Sequence, residues 1–155
     1  MAAPTPLLIV DDEQAFTEIL AQRLSKRGFA VTTAADGLLG LQLLKEDETL
    51  EVVVLDIAMP GVDGITALKA MKKVRPLVEI IMLTGQANVA TAVESIKWGA
   101  FNYLVKPCTI EDLTICIEEA VKHRRDKEKK ILDVRMTPYL TAEKRQELIA
   151  ALLKE

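Results

Sequence analysis

The sequence contains few of the residues that build disulfide frameworks, zinc sites or histidine-based catalytic centres. Its 155 residues include two cysteines, Cys108 and Cys116, and one histidine, His123. No His or further Cys stands near the two cysteines to complete a zinc site, so we interpret them as reduced thiols. His123 lies among charged residues at the end of a predicted helix, and we interpret it as an exposed charge at the C-terminal end of that helix.

The sequence also lacks long hydrophobic runs and a signal peptide. No apolar stretch approaches the roughly 18 residues that a membrane-spanning helix needs. The first ten residues have neither the basic start nor the apolar stretch of a secretory signal. Aromatic residues make up only 4% of the chain, whereas hydrophobic residues make up 50%, so we expect an aliphatic core. These features predict one cytoplasmic domain without a membrane segment.

Charge is distributed unevenly along the chain. Residues 1–121 carry a net charge of −7, and residues 122–155 carry a net charge of +4. An acidic domain is a poor candidate for nucleic-acid binding, and the basic segment is too short for a helix-turn-helix domain. We therefore expect no direct nucleic-acid binding, and we interpret residues 122–155 as a charged, solvated segment that an acidic partner could contact.

Short hydrophobic runs alternate with helical patterns over most of the chain. The runs are LLIV (7–10), FAVTT (29–33), EVVVLD (51–56), VEIIMLTG (78–85) and AFNYLV (100–105). Apolar residues recur at helical spacing after each run. This alternation predicts βαβ units around a parallel sheet that is buried on both faces. The predicted fold class is α/β: a doubly wound, flavodoxin-like, five-stranded parallel sheet of strand order 2-1-3-4-5, with a C-terminal helical extension.

Four of the five runs end in polar or charged side chains. These residues are Asp11 with Asp12, Asp56, Thr84 and Lys106. A single Asp at the end of a strand is more often a turn or a helix cap. In an open α/β sheet, however, the carboxyl ends of all parallel strands face one crevice, so we expect these side chains to converge there.

The chemistry of this set indicates a magnesium site that handles one phosphoryl group. Carboxylates that lie close together repel each other unless a cation joins them. An all-oxygen ligand set without His or Cys favours a hard cation, and Mg²⁺ fits best. A Lys and a hydroxyl group suit the oxygens of a phosphoryl group, which a carboxylate nucleophile can carry as an acyl phosphate. The sequence has no P-loop and no GxGxxG turn after the first strand, so nucleotide binding is not supported.

This set, in this order and spacing, resembles the receiver domain of bacterial two-component response regulators. The resemblance covers residues 7 to about 122 and rests on Asp11-Asp12, Asp56 in DIAMPGVDG, Thr84 in MLTG, Tyr103 and Lys106-Pro107. It implies that Asp56 accepts a phosphoryl group from a sensor histidine kinase. It also implies that Asp11, Asp12, Asp56 and the backbone carbonyl of Ala58 hold Mg²⁺, and that Lys106 pairs with a phosphate oxygen.

The resemblance further implies a conformational switch. Thr84 would hydrogen-bond the phosphoryl group, and Tyr103 would turn into the space that Thr84 vacates. Lys106-Pro107 would be a cis peptide that directs the lysine inward. Each residue also has a simpler interpretation: Tyr103 could be a core aromatic with its hydroxyl in water, and Lys106 could be a solvated loop charge.

The resemblance divides the chain into a receiver domain, residues 1–122, and a charged helical extension, residues 123–155, without a recognisable effector domain. Pro138 breaks the extension, and Thr141 is placed to cap a second helix. The apolar stripe of this helix is Leu148, Ile149, Leu152 and Leu153. A helix of about 13 residues is marginal alone in water. We therefore expect it to dock on its own receiver, on a second copy or on another protein.

Two classes of function are open at this point. The first is a signalling module that is no enzyme beyond its own phosphorylation and dephosphorylation, and that contacts a downstream protein or a second copy through its fourth helix, fifth strand and fifth helix. In this class the chain could also be the receiver fragment of a longer transcriptional regulator. The second class is a metal-dependent phosphatase on a similar fold. Such enzymes often carry a second Asp two residues after the nucleophile, where this sequence has Ala58.

Two positions predict how long a phosphoryl group would last on Asp56. They are Ala58, two residues after the acceptor, and Gln86, two residues after Thr84. In the family these positions tune the lifetime, and here neither side chain is charged. Because Ala58 cannot orient a water molecule, we predict a longer lifetime than in receivers with polar or acidic residues at both positions. A decay assay on the phosphorylated protein measures this, and loss of the label within seconds would contradict the prediction.

Overall fold

The computed structural model describes residues 3–155, which form five strands and six α-helices. The strands are β1 (Thr5–Val10), β2 (Phe29–Ala34), β3 (Val52–Leu55), β4 (Glu79–Thr84) and β5 (Asn102–Val105). The helices are α1 (Gln14–Ser25), α2 (Gly37–Glu46), α3 (Gly64–Val74), α4 (Val89–Lys97), α5 (Ile110–Met136) and α6 (Ala142–Leu153). None of the helices in this described range combines the length and the apolar character that crossing a bilayer requires.

All five strands are parallel and lie in the order β2-β1-β3-β4-β5, which confirms the predicted fold class. Every residue of β3 and β4 is buried, because helices cover both faces of the sheet. On one face α1 and α5 pack over Leu7 and Ile9. On the other face α2 and α3 pack over Leu8 and Val10. The alternation of these residues along β1 therefore separates two aliphatic cores.

Side-chain caps start most of the helices. Asp36, Asp63, Asn88, Thr109 and Thr141 each accept a hydrogen bond from the backbone N–H three residues later. Each of these bonds satisfies an N–H group that has no partner inside its helix. The cap predicted at Thr141 is confirmed.

The fifth helix continues well beyond residue 122, where the sequence analysis placed the end of the first domain. α5 runs without a break for 27 residues, from Ile110 to Met136, and α6 then packs against α5. No residue of α6 is fully buried, and Leu148, Ile149, Leu152 and Leu153 of its apolar stripe are half-buried. The sequence left open whether α6 docks on its own chain, on a second copy or on another protein. The structure shows α6 in contact with α5 of the same chain.

Two buried acids at the starts of the central strands bind the first turns of the extension. Glu51 directly precedes β3, and its carboxylate lies 3.2 Å from Arg124 Nη1 and 3.0 Å from Arg125 Nη2. Glu79 begins β4, and its carboxylate lies 3.3 Å from His123 Nδ1 and 3.9 Å from Lys127 Nζ. We call this set the strand-start cluster: Glu51, Glu79, His123, Arg124, Arg125 and Lys127.

The strand-start cluster corrects two predictions. His123 is not an exposed helix-end charge, because its Nδ1 is buried beside Glu79 and its ring centroid lies 5.4 Å from that of Phe101. The start of the extension is solvated on one side only, since Lys127 and Ile131 are buried while Arg125, Asp126, Glu128, Lys129 and Lys130 are exposed. The physical reason is that buried carboxylates are costly unless basic groups pair with them, so Glu51 and Glu79 draw the basic residues inward.

We predict that a chain ending at residue 122 is much less stable than one ending at residue 136. The shorter chain leaves Glu51 and Glu79 without the partners supplied by residues 123–127. Breaking buried ion pairs in this way costs about 3–5 kcal/mol. Urea unfolding of both truncated chains and of the full chain measures the difference.

The matched control is the double substitution Glu51→Gln and Glu79→Gln in the chain that ends at 122. It removes the unpaired charges and is expected to recover part of the lost stability. Equal unfolding midpoints for the 122-residue and 136-residue chains would contradict a stabilising role for the strand-start cluster.

Candidate acidic site at the carboxyl edge of the sheet

The strand ends bring the predicted polar residues to one crevice. Asp11 and Asp12 follow β1, Asp56 follows β3, Thr84 ends β4, and Lys106 follows β5. One carboxylate oxygen from each of Asp11, Asp12 and Asp56 lies within 4.8 Å of the other two. The parallel topology therefore assembles an acidic cluster from residues that are up to 45 positions apart in the sequence.

Asp56 is the most constrained carboxylate of the cluster. Its side chain is only 5% exposed, and Oδ1 has no hydrogen-bond partner among residues 3–155. Burial raises the pKa of Asp56, and the negative charge of Asp11 raises it further. Lys106, the Ala58 N–H group and the Thr84 hydroxyl oppose this rise without cancelling it. A buried carboxylate with a free oxygen is suited to bind an added cation or an electrophile.

A glycine holds the loop after Asp56 close to the helix that follows. The Gly64 N–H group donates to the Ile57 carbonyl at 2.9 Å, and Asp63 caps α3. A Cβ atom at position 64 would collide with the Asp56 carbonyl and lie 2.6 Å from Ile57 Cα. Only glycine permits this close approach, which fixes the backbone that carries the Asp56 carboxylate.

Lys106 lies between the carboxylates and is only 13% exposed. Its Nζ is 2.7 Å from Asp11 Oδ2, 3.1 Å from Glu13 Oε1 and 3.9 Å from Asp56 Oδ2. Burial lowers the pKa of Lys106, but hydrogen bonds to Asp11 and Glu13 outweigh this effect and leave the pKa raised. Lys106 is therefore a permanent cation in the crevice, and it contacts Asp11 more closely than Asp56. The Lys106-Pro107 peptide is cis, as the family resemblance implied.

Thr84 and Tyr103 lie on adjacent strands beside the crevice. Thr84 is fully buried, and its hydroxyl accepts a hydrogen bond from the Gln86 N–H group at 3.1 Å. Tyr103 is half-buried, and its hydroxyl lies 2.8 Å from Thr91 Oγ1 at the start of α4. The Tyr103 hydroxyl therefore has a side-chain partner in α4, and the predicted exchange of positions between Thr84 and Tyr103 stays a prediction.

Sequence reasoning missed two side chains that contact Lys106. Glu13 directly follows the acidic pair and stands at the N-cap position of α1, where its side chain makes no capping hydrogen bond. Phe16 lies in the first turn of α1, with the centroid of its ring 4.3 Å from Lys106 Nζ. The run of three acids at 11–13 is a signal that could have identified Glu13. Phe16 follows the apolar spacing of α1 and resembles an ordinary core residue.

The donor set fits a hard divalent cation. Asp11, Asp12 and Asp56 offer oxygen ligands only, and they combine two buried carboxylates with one exposed carboxylate. Asp56 Oδ1 is buried without a partner, which is the condition that a bound cation relieves. Ala58 is exposed beside this cluster, and metal binding by its carbonyl stays a prediction.

Comparison with known proteins finds matches that cover the acidic cluster, Thr84 and Lys106. A family model described as the response regulator receiver domain matches residues 7–118. The Regulatory protein AtoC of Escherichia coli (strain K12) is 36% identical over 122 residues, which are 79% of this chain and 26% of that protein. The chain thus spans about a quarter of the length of this relative.

Solved structures show the same architecture. A response regulator receiver domain protein from Clostridium thermocellum is 34% identical, with a TM-score of 0.75, over 78% of this chain and 97% of that one. NtrX from Brucella abortus is 31% identical, with a TM-score of 0.77, over 90% of this chain and 31% of that one. The similarity to NtrX therefore extends over more of this chain than the residues that the family model matches.

We predict saturable Mg²⁺ binding at the acidic cluster. In an NMR titration, amide signals around residues 11–13, 56–58 and 106 should shift together to a plateau. Asp11→Asn or Asp12→Asn removes one charged ligand and should weaken the affinity at least about tenfold. Asp63→Asn is the matched control, because Asn caps a helix as well as Asp does. Equal affinities in all four proteins would show that the cluster does not bind the ion.

Proposed function

The chain belongs to the response regulator receiver domain family, and from this we propose that Asp56 accepts a phosphoryl group from the phosphohistidine of a sensor histidine kinase. The observation that carries the proposal is the state of the Asp56 side chain. It is buried at the carboxyl edge of the sheet, it lies beside Lys106 and Asp11, and its Oδ1 has no hydrogen-bond partner among the described residues.

The proposed transfer needs one nucleophile and a set of charges that balance it. A carboxylate oxygen of Asp56 attacks the phosphorus atom, the phosphorus–nitrogen bond to the donor imidazole breaks, and its electron pair leaves with the imidazole nitrogen. Mg²⁺, when bound by Asp11, Asp12, Asp56 and the Ala58 carbonyl, would neutralise charge on the phosphoryl oxygens. Lys106 lies 3.9 Å from Asp56 Oδ2, within reach of an oxygen on the transferred group.

The proposal includes a switch that starts at Thr84. Its hydroxyl lies near Asp56 and would turn from the Gln86 N–H group to a phosphoryl oxygen. Tyr103 would then leave Thr91 and move into the vacated space. Because Thr91 belongs to α4, this movement would change the surface formed by α4, β5 and α5.

That surface is the proposed site of output. Three apolar side chains of α4 are more than half exposed: Val89, Val93 and Ile96. Val105 of β5 is half exposed. Lys69 and Lys97 partly cover Trp98. Exposed apolar side chains on one face suit contact with a second copy or with a downstream protein. We therefore propose homodimer formation or partner binding through α4, β5 and α5.

We also propose how this receiver relates to a longer protein and which chemistry it carries out. Since the relatives are about four times as long as the matched region, the chain could serve as the receiver of a longer regulator, including a regulator of transcription. We propose a cytoplasmic protein with a receiver at residues 1–122 and an extension at 123–155. Its chemistry would be limited to its own phosphorylation and dephosphorylation. A generic metal-dependent phosphatase is disfavoured because Ala58 cannot act as the general acid.

Treatment with acetyl phosphate and Mg²⁺ tests the proposal. Mass spectrometry should show an added mass of about 80 Da, which corresponds to one phosphoryl group. Asp56→Asn should abolish this addition, and Asp63→Asn should retain it. An added mass that survives Asp56→Asn would refute the assignment of the acceptor, and steady release of phosphate from simple esters would favour the phosphatase.

A further inference from the structure

We propose that Glu13 is a positioning residue that holds Lys106 partly away from Asp56 until a phosphoryl group competes for the lysine. This inference rests on the proposed function and concerns how readily that function occurs. Its basis is that the Lys106 ammonium group lies at different distances from three carboxylates. Lys106 Nζ lies closest to Asp11, next closest to Glu13 and farthest from the acceptor, Asp56.

The distances show that Lys106 does not make its third pairing in this state. An ammonium group has three N–H donors. Two of them reach Asp11 at 2.7 Å and Glu13 at 3.1 Å, whereas the separation of 3.9 Å from Asp56 Oδ2 is too long for a hydrogen bond. One N–H donor is therefore left over, and the ammonium group has to shift toward Asp56, away from Asp11 or Glu13, before it can form a hydrogen bond there.

The Glu13 backbone is held firmly, whereas its side chain is not. Its N–H group donates to Asp11 Oδ1 at 2.9 Å, and its carbonyl accepts hydrogen bonds from the Thr17 N–H group and hydroxyl. The side chain is 63% exposed and, among the described residues, makes its polar contact with Lys106. Glu13 is thus anchored at the start of α1 and presents one solvated carboxylate to the lysine.

Phe16 completes the contact from the same helix. Its ring centroid lies 4.3 Å from Lys106 Nζ, within the range of a cation–π interaction. Glu13 stands at the N-cap position and Phe16 in the turn that follows, and both side chains contact Lys106. The first turn of α1 therefore holds the ammonium group on the Asp11 side of the crevice.

The exposure of Glu13 makes its hold on Lys106 weak and reversible. Ion pairs with an exposed partner contribute little because water and salt screen them. Asp11 is 4% exposed, so its pairing with Lys106 is screened much less. When the negative charge on Asp56 increases on phosphorylation, Glu13 is the partner that Lys106 gives up most easily.

Glu13 should therefore weaken the affinity of the chain for a phosphoryl mimic by a small and measurable factor. A phosphoryl group on Asp56 competes with Glu13 for Lys106, and the Glu13 carboxylate also repels the phosphoryl oxygens. Removing the pairing should raise the affinity for a phosphoryl mimic about two- to fivefold, which is the range for an exposed ion pair. The effect should appear at saturating Mg²⁺, where any change in metal affinity no longer contributes.

The test measures equilibrium binding of beryllofluoride at saturating Mg²⁺ by the full chain and three variants. Glu13→Gln removes the charge and weakens the pairing. Glu13→Asp keeps the charge and withdraws the carboxylate by one methylene group. Glu18→Gln is the matched control, because it makes the same charge change on an exposed residue of α1 that contacts Gln14 and not Lys106. Urea unfolding curves establish that every variant is folded.

The expected result is tighter beryllofluoride binding by both Glu13 variants than by the parent chain or Glu18→Gln. A gain in Glu13→Gln that Glu13→Asp does not share, or that Glu18→Gln matches, would attribute the effect to net charge and overturn the inference. Weaker binding by Glu13→Gln would also overturn it, because Glu13 would then assist the phosphorylated state.

A second measurement separates this inference from the proposed function. In a chain with ¹⁵N-labelled lysine and no phosphoryl donor, the ammonium signal of Lys106 should shift in Glu13→Gln and stay unchanged in Glu18→Gln. An unchanged signal in both variants would show that Glu13 does not hold Lys106, even if the parent chain accepts phosphate. Failure of the parent chain to accept phosphate from acetyl phosphate, with the ammonium shift present, would instead count against the proposed function.

Discussion

The pairing of buried carboxylates with basic groups is the constraint on which this structure depends. A carboxylate inside a protein is costly unless a cation or hydrogen-bond donors accompany it. At the carboxyl edge of the sheet, Lys106 only partly meets this requirement, because Asp11 and Asp56 are both buried and one oxygen of Asp56 lacks a partner. The charge balance of the crevice is therefore incomplete, which supports the proposal that it takes up a metal ion and a phosphoryl group.

The same constraint operates at the opposite edge of the sheet with a different outcome. Glu51 and Glu79 are buried at the starts of β3 and β4, and they are paired with basic residues of α5. The two central strands thus carry acids at one edge and Asp56 and Thr84 at the other. Basic residues of α5 lie beside Glu51 and Glu79 and attach this helix to the sheet, although Glu79 Oε1, like Asp56 Oδ1, lacks a hydrogen-bond partner among the described residues.

Much of the fold and the acidic site could be predicted from local patterns. The hydrophobic runs and the polar residues that end them lie within single segments, and the parallel βαβ topology brings those ends together. The contacts of Phe16 and His123 could not be predicted in this way. Each joins side chains from separate elements, and each depends on side-chain conformation rather than on the order of the elements. His123 in particular has a charged neighbourhood in sequence, although its spatial neighbours are Glu79 and Phe101.

The amino-acid sequence by itself determined the order of the strands and helices, the aliphatic character of the core and the edge of the sheet at which the acidic residues meet. These properties follow from hydrophobic periodicity and chain direction, which are local. The tertiary structure alone decided which carboxylate Lys106 prefers, where α6 docks and which residues of α5 beyond 122 are buried against the sheet. These depend on distances and burial between residues far apart in the chain, because an ion pair is strong only where both of its members are removed from water.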